Sequence, residues 1–457
     1  MIDTRQVNRR ALAGGLVALI AAPFTARAQT SPMVFTAAER RAIGAALGLG
    51  MEVFSLDDAT LSARTLAFAR TEAGLRLSPI RIDSAWALTP PPRDLPAEFS
   101  AARAGGRLAE WLQGLGPRAP GYRALQEARG RYALLAAAGG WPTVAQGPSL
   151  RVGDTGPDVA AVRARLAAEG YGEPAQALAV YDEPMAGAVR AFQGLHGLDA
   201  DGVVGPATRE ALGVSAAARL DQIDANLERW RWTRSPAADR VTVDTGFQEA
   251  VLFRGGSPAL RMRAIVGSPQ HPTPMFRSAL RAVVFNPPWN VPDSIANNEL
   301  LPAAARRPGL LESMGIRRVD GRLQQRPGPN NSLGQVKFDL DSPFGVYLHD
   351  TPGKGLFARP QRAFSHGCMR LEKPRELAAA LLGWSSAEVD AAIAGRATRR
   401  LSLRRPVAVD VLHRTVRVEA DGRVAFRPDI YGWDRKLTAA LGEPAATSAA
   451  RTPERSA

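Results

Sequence analysis

Apolar residues recur at helical spacing through the first third of the chain. From about Phe35 to Trp141 the sequence is rich in Ala, Leu and Arg, and its last part places apolar side chains three or four positions apart. Pro90-Pro91-Pro92 interrupts the pattern, and Gly139-Gly140-Trp141-Pro142 ends it. We expect residues 31–145 to form a helical scaffold domain, because this stretch carries no cluster of catalytic side chains.

A compact unit of three short helices is predicted over residues 149–213. Glycine-containing turns separate the helices, and each helix has an apolar face. The first face carries Val159, Val162 and Leu166, and the second carries Val189 and Phe192. A third helix opens at Gly205-Pro206-Ala207-Thr208, after Asp201-Gly202.

Beyond Asp239 the period of the apolar positions changes to two, which predicts strands. The strand-like segments include 241–243, 260–266, 283–285 and 344–348. A connecting helix precedes them, so we expect a β-rich domain over residues 220–435. Residues 294–340 are rich in Pro, Gly and Asn and are predicted to form a lid over a site. Residues 438–457 are predicted to be a disordered tail.

The amino terminus has the pattern of an export signal over residues 1–28. Arg9-Arg10 precede an apolar run, and Ala26-Arg27-Ala28 is a small-residue cleavage site. The paired arginines match the twin-arginine route only in part, and an uncleaved anchor is the alternative to a cleaved signal. We expect an exported protein, located in the periplasm or cell wall, without a transmembrane span.

The net charge of +14 comes almost entirely from arginine, since the chain has four lysines, at 337, 354, 373 and 436. This balance favours an anionic partner such as a cell-wall polymer or a lipid surface, although genome composition produces the same bias. A nucleic-acid partner is not expected, because the chain carries no recognisable module for binding one.

The single cysteine, Cys368, is the strongest candidate for chemistry. One thiol cannot form an internal disulfide, and a lone Cys with His349 elsewhere in the chain is a candidate nucleophile and base. Two alternatives remain open: a small buried apolar side chain, or a metal ligand together with His349 and His366. The metal alternative lacks a fourth ligand. Gly353-Lys354-Gly355 is not a phosphate-binding loop, so we expect neither metal nor cofactor.

Two segments carry a specific family resemblance. The run Asp201 to Thr208, with the helices around it, resembles the type 1 peptidoglycan-binding domain. His349-Asp350-Thr351 and the segment Ser365 to Leu371 (SHGCMRL) resemble the L,D-transpeptidase catalytic domain of the YkuD type. Further stretches agree with the second resemblance: 226–232 (NLERWRW), 285–289 (FNPPW) and 429–431 (DIY). Together the resemblances cover about residues 115–435 and imply a multidomain α+β chain: a helical scaffold, a three-helix peptidoglycan-binding module, and a β-rich YkuD-type domain with a lid insertion.

The resemblance also implies a role for each residue of the site. Cys368 is the expected nucleophile and His349 its general base, oriented by the backbone carbonyl of Asp350. The N–H of Gly367, with that of Cys368, is expected to form the oxyanion hole. Arg370 is expected to bind a substrate carboxylate, with His366 and Ser365 as further substrate-binding residues.

The implied reaction is the formation of 3→3 crosslinks between peptidoglycan stem peptides through a cysteine thioester. An L,D-carboxypeptidase or hydrolase with the same acyl-enzyme is the first alternative, and a non-catalytic wall-binding protein is the second. The expected partners are stem peptides and glycan strands, with carbapenem-type β-lactams as covalent inhibitors.

Overall fold

The computed structural model describes residues 34–172, 179–233 and 236–442. The predicted export signal, residues 1–28, lies outside them. The α-helices are α1 Ala37–Leu47, α2 Asp58–Glu72, α3 Pro79–Ile82, α4 Leu95–Ala104, α5 Leu108–Gln113, α6 Pro120–Ala137, α7 Pro157–Ala168, α8 Glu183–Leu195, α9 Pro206–Leu212, α10 Ala216–Thr233, α11 Asp293–Ile295, α12 Leu301–Arg306, α13 Leu310–Ser313, α14 Pro374–Leu382, α15 Ser386–Ala394 and α16 Trp433–Gly442. Single turns of other helix types occur at Gly50–Phe54, Ala296–Leu300 and Lys354–Ala358.

The strands lie mainly in the second half of the chain, as the change of period predicts. They are β1 Trp86–Ala87, β2 Arg240–Asp244, β3 Glu249–Arg254, β4 Ser257–Gly267, β5 Met275–Phe285, β6 Trp289–Asn290, β7 Ile316–Val319, β8 Arg322–Gln325, β9 Val336–Leu340, β10 Leu348–His349, β11 Ala363–Ser365, β12 Met369–Leu371, β13 Arg399–Leu412, β14 Val416–Val418 and β15 Val424–Phe426.

The main sheet closes on itself. Its strands follow the order β5-β13-β2-β3-β4-β12-β10-β9, and β5 pairs with β9 as well as with β13. Alternate side chains of these strands fill one core, which includes Val243, Val266, Phe285 and Phe338. Helices α14 and α15 pack on this core. The short strands β10 and β12 are therefore held between longer neighbours, which fixes the residues that they carry.

The three-helix module has its own core. α7, α8 and α9 pack around Val159, Val162, Val189 and Phe192, all fully buried. These are residues that the sequence placed on the helix faces. The module connects to the rest of the chain through α10, which packs against α6.

The helical region is more closely joined to the β-rich domain than the sequence indicated. Within it, Trp86 and Ala87 form β1, which pairs in parallel with Met275 and Phe276 of β5. The Trp86 ring is fully buried against Trp232, with ring centroids 5.8 Å apart. The region thus adds a strand to the main sheet, which short-range helical spacing could not predict.

The predicted lid needs a correction at its end. Residues 293–335 leave the main sheet and form short helices and the strands β7 and β8, which join β6 in a three-stranded sheet of order β6-β8-β7. This part packs around its own apolar cluster, which includes Trp289, Ile316 and Leu323. Residues 336–340 belong instead to β9, which pairs with β5 and β10 inside the main sheet. We call residues 293–335 the insertion.

The predicted tail also begins too early. Helix α16 runs from Trp433 to Gly442 and buries Trp433 and Leu437, so residues 438–442 are helical. Residues 443–457 lie outside the described part of the chain. In the described ranges no single helix is long and apolar enough to cross a membrane, and only the pair α14 and α15, bent by 112°, meets that criterion jointly.

Candidate active site

One face of the β10 and β12 pair carries three of the predicted site residues. The strands pair in parallel, with Leu348 opposite Met369 and His349 opposite Arg370. Leu348 and Met369 are fully buried in the core, so the alternating residues on either side of them belong to the opposite face. That face carries His349, Arg370 and Cys368. Cys368 lies two positions before Arg370, so it is a diagonal neighbour of His349 across the strand pair.

The turn before Cys368 depends on glycine. Gly367 has φ +103°, which residues with a side chain rarely adopt. Its N–H donates to Ser365 Oγ at 3.1 Å, and that hydroxyl donates to the carbonyl of Cys368 at 2.5 Å. The N–H of Gly367 is thus hydrogen-bonded to Ser365 in this structure, and its part in an oxyanion hole stays a prediction. Ser365 is 2% exposed and closes the turn, so it is not placed to contact a substrate.

A buried threonine fixes this turn to the neighbouring strand. Thr273 Oγ1 donates to the carbonyl of Gly367 and accepts from the N–H of Gly267, both at 2.8 Å. A Cβ on Gly267 would lie 2.1 Å from the carbonyl oxygen of His271, so only glycine fits there. The position of Cys368 is therefore determined by a hydrogen-bonded frame.

Cys368 is a half-buried free thiol. Burial raises its pKa above the ordinary value, while the backbone and hydroxyl of Tyr347 and the charges of Lys337 and Arg370 act in the opposite direction. Its N–H has no acceptor within the described residues. At neutral pH the resting sulfur is therefore a thiol, and it needs a proton acceptor to react as a thiolate.

His349 is 4% exposed and lies edge-on to Tyr347, with ring centroids 5.7 Å apart. Burial, followed by the positive charge of Arg370, lowers its pKa to about 3. The carbonyls of Asp350 and Leu333 act in the opposite direction, although Nδ1 has no acceptor at full hydrogen-bond geometry. The imidazole is therefore neutral at physiological pH and can accept a proton.

Asp350 stabilises the segment that follows the histidine. Its carboxylate accepts from the N–H of Gln335 at 2.9 Å and of Thr351 at 2.7 Å, and it pairs with Lys354 at 2.5 Å. The backbone carbonyl near His349 thus belongs to a residue whose side chain is itself held in place. This geometry agrees with the orienting role predicted for Asp350, which stays a prediction.

Arg370 is half-buried and has no carboxylate within ion-pair distance among the described residues. Its Nε is buried without a hydrogen-bond partner, and burial lowers its pKa. Lys337 lies opposite His349 and 4.4 Å from the centre of the Tyr347 ring, and its ammonium group is paired with Asp339 at 3.0 Å. The face beside the thiol thus carries one unpaired positive charge, that of Arg370.

His366 projects away from this face and towards the insertion. Its Nε2 lies 2.7 Å from a carboxylate oxygen of Glu299, and its ring stacks on His271 with centroids 4.7 Å apart. Its position beside the cysteine in the sequence therefore does not bring it to the thiol. Within the described ranges, no three His, Cys, Asp or Glu side chains are arranged to hold a metal ion.

The sequence reasoning missed Tyr347 and Lys337. A signal for Tyr347 existed, because a residue two positions before His349 shares its face of the strand. Lys337 enters the site only through the pairing of β9 with β10, and that register is not visible in the local sequence.

Comparison with known families confirms both resemblances. Residues 238–409 match the family model "L,D-transpeptidase catalytic domain" (YkuD), and residues 155–212 match "Putative peptidoglycan binding domain". Residues 54–128 match "Scaffold domain". The mixed α+β organisation with a helical amino-terminal region, a peptidoglycan-binding domain and a β-rich YkuD domain is thereby confirmed.

Similar individual proteins carry related names. A curated protein of Haemophilus influenzae, "Putative L,D-transpeptidase", is 34% identical over 212 residues, which cover 41% of this chain and 43% of that protein. The chain thus spans less than half the length of this relative. Among solved structures, an L,D-transpeptidase (Yku) from Stackebrandtia nassauensis is 14% identical, covering 59% of this chain and 96% of its own, with TM-score 0.23. L,D-transpeptidase 3 from Mycobacterium tuberculosis, in complex with a faropenem-derived adduct, is 14% identical, covering 38% and 60%, with TM-score 0.21.

Proposed function

We propose that this protein is an L,D-transpeptidase that forms 3→3 crosslinks between peptidoglycan stem peptides through a thioester on Cys368. The observation that carries the proposal is the shared face of β10 and β12, where a thiol, a neutral imidazole and an unpaired guanidinium lie together. These are the groups that acyl transfer to and from a cysteine requires. The matches to the catalytic and peptidoglycan-binding families support the substrate class.

In the first half-reaction the sulfur of Cys368 attacks the carbonyl at the L-centre of a diaminopimelate–D-Ala bond. The thiol proton passes to His349, the S–C bond forms, and the C–N bond to D-Ala breaks. The departing amine takes the proton from His349. Because the imidazole is neutral and the thiol protonated at rest, proton transfer accompanies the attack instead of preceding it.

In the second half-reaction the side-chain amine of a second diaminopimelate attacks the thioester. His349 accepts a proton from this amine and returns it to the departing sulfur, so the enzyme regains its resting state. Water in place of the amine would give hydrolysis. The same acyl-enzyme serves both outcomes, and the products distinguish them.

Four further groups have assigned roles in this proposal. Arg370 binds a stem-peptide carboxylate, since it is a desolvated guanidinium with no carboxylate partner of its own within the described chain. The N–H of Cys368 donates to the developing oxyanion, because no described residue accepts from it, whereas the N–H of Gly367 is occupied. Tyr347 and Lys337 favour the thiolate that leaves in the second half-reaction.

The substrate places the reaction outside the cytoplasm, in the periplasm or cell wall. The export signal predicted over residues 1–28 would direct the chain to that compartment. Fractionation of cells that carry the full chain tests this location: we expect the protein outside the cytoplasm and shortened at its amino terminus. Retention of the full-length chain in the cytoplasm would contradict it.

A carbapenem is the proposed covalent inhibitor, since its strained carbonyl presents the same target to the sulfur as the peptide bond does. Intact-mass measurement should show one adduct on the wild type and none on Cys368→Ala. An adduct on the alanine variant would show that another group reacts.

The experiment that tests the function is mass spectrometry of products from purified full-length protein and disaccharide-tetrapeptide. We expect a dimeric product with loss of one D-Ala, absent with Cys368→Ala. Tripeptide alone would identify a hydrolase, and an unchanged substrate would favour a non-catalytic wall-binding protein.

A further inference from the structure

A second feature lies between the peptidoglycan-binding module and the catalytic domain. It is a cleft of about 1150 Å³, lined on one side by the module and on the other by the segment Arg359–Phe364 and by residues 426–430. Its volume exceeds that of ordinary small-molecule pockets, which hold up to about 1000 Å³. The segment 359–364 runs directly into the turn that carries Cys368. The cleft therefore lies between the module and the segment that leads into this turn.

The wall of the cleft contains buried polar atoms that lack partners. His196 is 3% exposed, and its Nδ1 lies 2.8 Å from the carbonyl of Phe192. A carbonyl only accepts, so Nδ1 carries the hydrogen and the unpartnered Nε2 is an acceptor. Arg219, 6% exposed, also lines the cleft and has an unpartnered Nε–H, which is a donor. Because neither atom has surface open to the cleft, both contribute polarity beneath its wall and do not contact a ligand directly.

Exposed side chains of both charge signs line the rim. The module side presents the exposed carboxylates of Asp199 and Glu210, and the catalytic side presents the exposed guanidinium of Arg359. Phe364 is an unusually exposed aromatic, 39% accessible, with the Arg359 guanidinium 5.6 Å from its ring centre. An aromatic face beside ionic groups suits a sugar ring with an attached peptide that bears both ammonium and carboxylate groups.

The two walls are held in a fixed orientation. Arg427 of the catalytic domain donates to the carbonyl of Leu195 in the module at 2.7 Å. The ring of His196 stacks on Phe426 with centroids 5.7 Å apart, and the Arg219 guanidinium lies 4.5 Å from the centre of the same ring. A ligand in the cleft would therefore be presented to the catalytic domain in one defined direction.

We propose that the cleft binds a peptidoglycan stem peptide still attached to its sugars, and guides that stem from the module towards Cys368. This inference rests on the proposed function and adds to it a second binding site, which neither the module nor the catalytic face contains alone. Its consequence is that a disaccharide-tetrapeptide binds more tightly than the same tetrapeptide without sugars.

The test measures binding by calorimetry on the full chain with Cys368→Ala, so that turnover does not interfere. We expect Arg359→Glu and Asp199→Lys each to weaken binding of disaccharide-tetrapeptide about tenfold. Phe364→Ala should remove the preference for the sugar-bearing ligand over the free tetrapeptide. Arg41→Glu, an equal charge change on an exposed residue of α1, is the matched control and should bind like the parent.

Unchanged binding in the Arg359 and Phe364 variants, or equal binding of the sugar-free peptide by the parent, would overturn the proposal. The four residues that are compared, Arg359, Asp199, Phe364 and Arg41, are exposed, and thermal unfolding verifies that each variant folds. The reaction of the wild type with free tetrapeptide is measured separately. Its absence alongside intact cleft binding would refute the proposed function and leave the cleft standing.

Discussion

Replacing Arg370 by methionine is expected to raise stability while lowering activity. The side chain is half-buried with an unpartnered Nε, and a buried group in that state costs about 1–3 kcal/mol. Methionine has a similar length and carries no charge to desolvate. The free energy of unfolding should therefore rise by about 1–3 kcal/mol, and the melting temperature by about 2–4 °C per kcal/mol.

The loss of activity follows from the same side chain. A hydrogen bond to a charged group contributes about 1.5–3 kcal/mol, and about 1.4 kcal/mol corresponds to a factor of ten. We expect kcat/KM for the tetrapeptide donor to fall by roughly 10- to 150-fold. The pKa of the Cys368 thiol should also rise, because the Arg370 charge lowers it in the wild type. The pKa of His349 should rise as well, for it too is lowered by this charge.

Three assays separate these effects: thermal unfolding, steady-state kinetics, and the pH dependence of iodoacetamide alkylation, which reports the thiol pKa without any substrate. Arg370→Lys keeps the charge without the planar fork and should restore the thiol pKa more fully than kcat/KM. Arg263→Met removes an exposed pair with Glu372 and serves as the surface control. Destabilisation by Arg370→Met, or an unchanged kcat/KM, would refute the reasoning.

Three other perturbations test parts of the site. Tyr347→Phe should raise the thiol pKa and slow alkylation at pH 7, and an identical pH profile would show that the hydroxyl does not act on the sulfur. Thr273→Val leaves the Gly267 N–H and the Gly367 carbonyl without their partner. The free energy of unfolding in urea should fall by about 1–3 kcal/mol for each of these two groups, and wild-type stability would contradict the role of Thr273 in holding the turn. His349 stays neutral in the folded state down to pH about 3, whereas it is protonated in the unfolded chain below pH about 6.5. Lowering the pH from about 6.5 to about 3 should therefore reduce the free energy of unfolding by about 1.4 kcal/mol per pH unit. His349→Gln should remove this slope, and an unaltered slope would show that other groups dominate.

Local patterns were sufficient for the residues that define each element. The apolar faces of the three-helix module are its core, and His349 lies at a strand end with Cys368 in the turn before the next strand. Helical and strand periods depend on neighbours a few positions apart, so the sequence carries them directly.

The pairing of strands that are distant in the sequence could not be predicted from local patterns. Residues 336–340 alternate like a strand, but their membership in the main sheet depends on β5, some fifty residues earlier. The Ser365 hydroxyl accepts from the N–H of Gly367 and donates to the carbonyl of Cys368, and both hydrogen bonds exist only once the turn has folded. The sequence could not show them, so the role of the Gly367 N–H in the oxyanion hole was predicted from the family resemblance alone. Lys337 and the unpaired state of Arg370 likewise arise from the assembled site.

The central claim is that a donor stem peptide becomes covalently attached to Cys368. Rapid-quench intact-mass spectrometry of the full chain with tetrapeptide donor, in the absence of acceptor, tests it most directly. The account predicts a transient adduct with the mass of the donor minus D-Ala, located on Cys368 by peptide mapping and discharged when acceptor amine is added. Product formation without this adduct, or an equal adduct on Cys368→Ala, would contradict it.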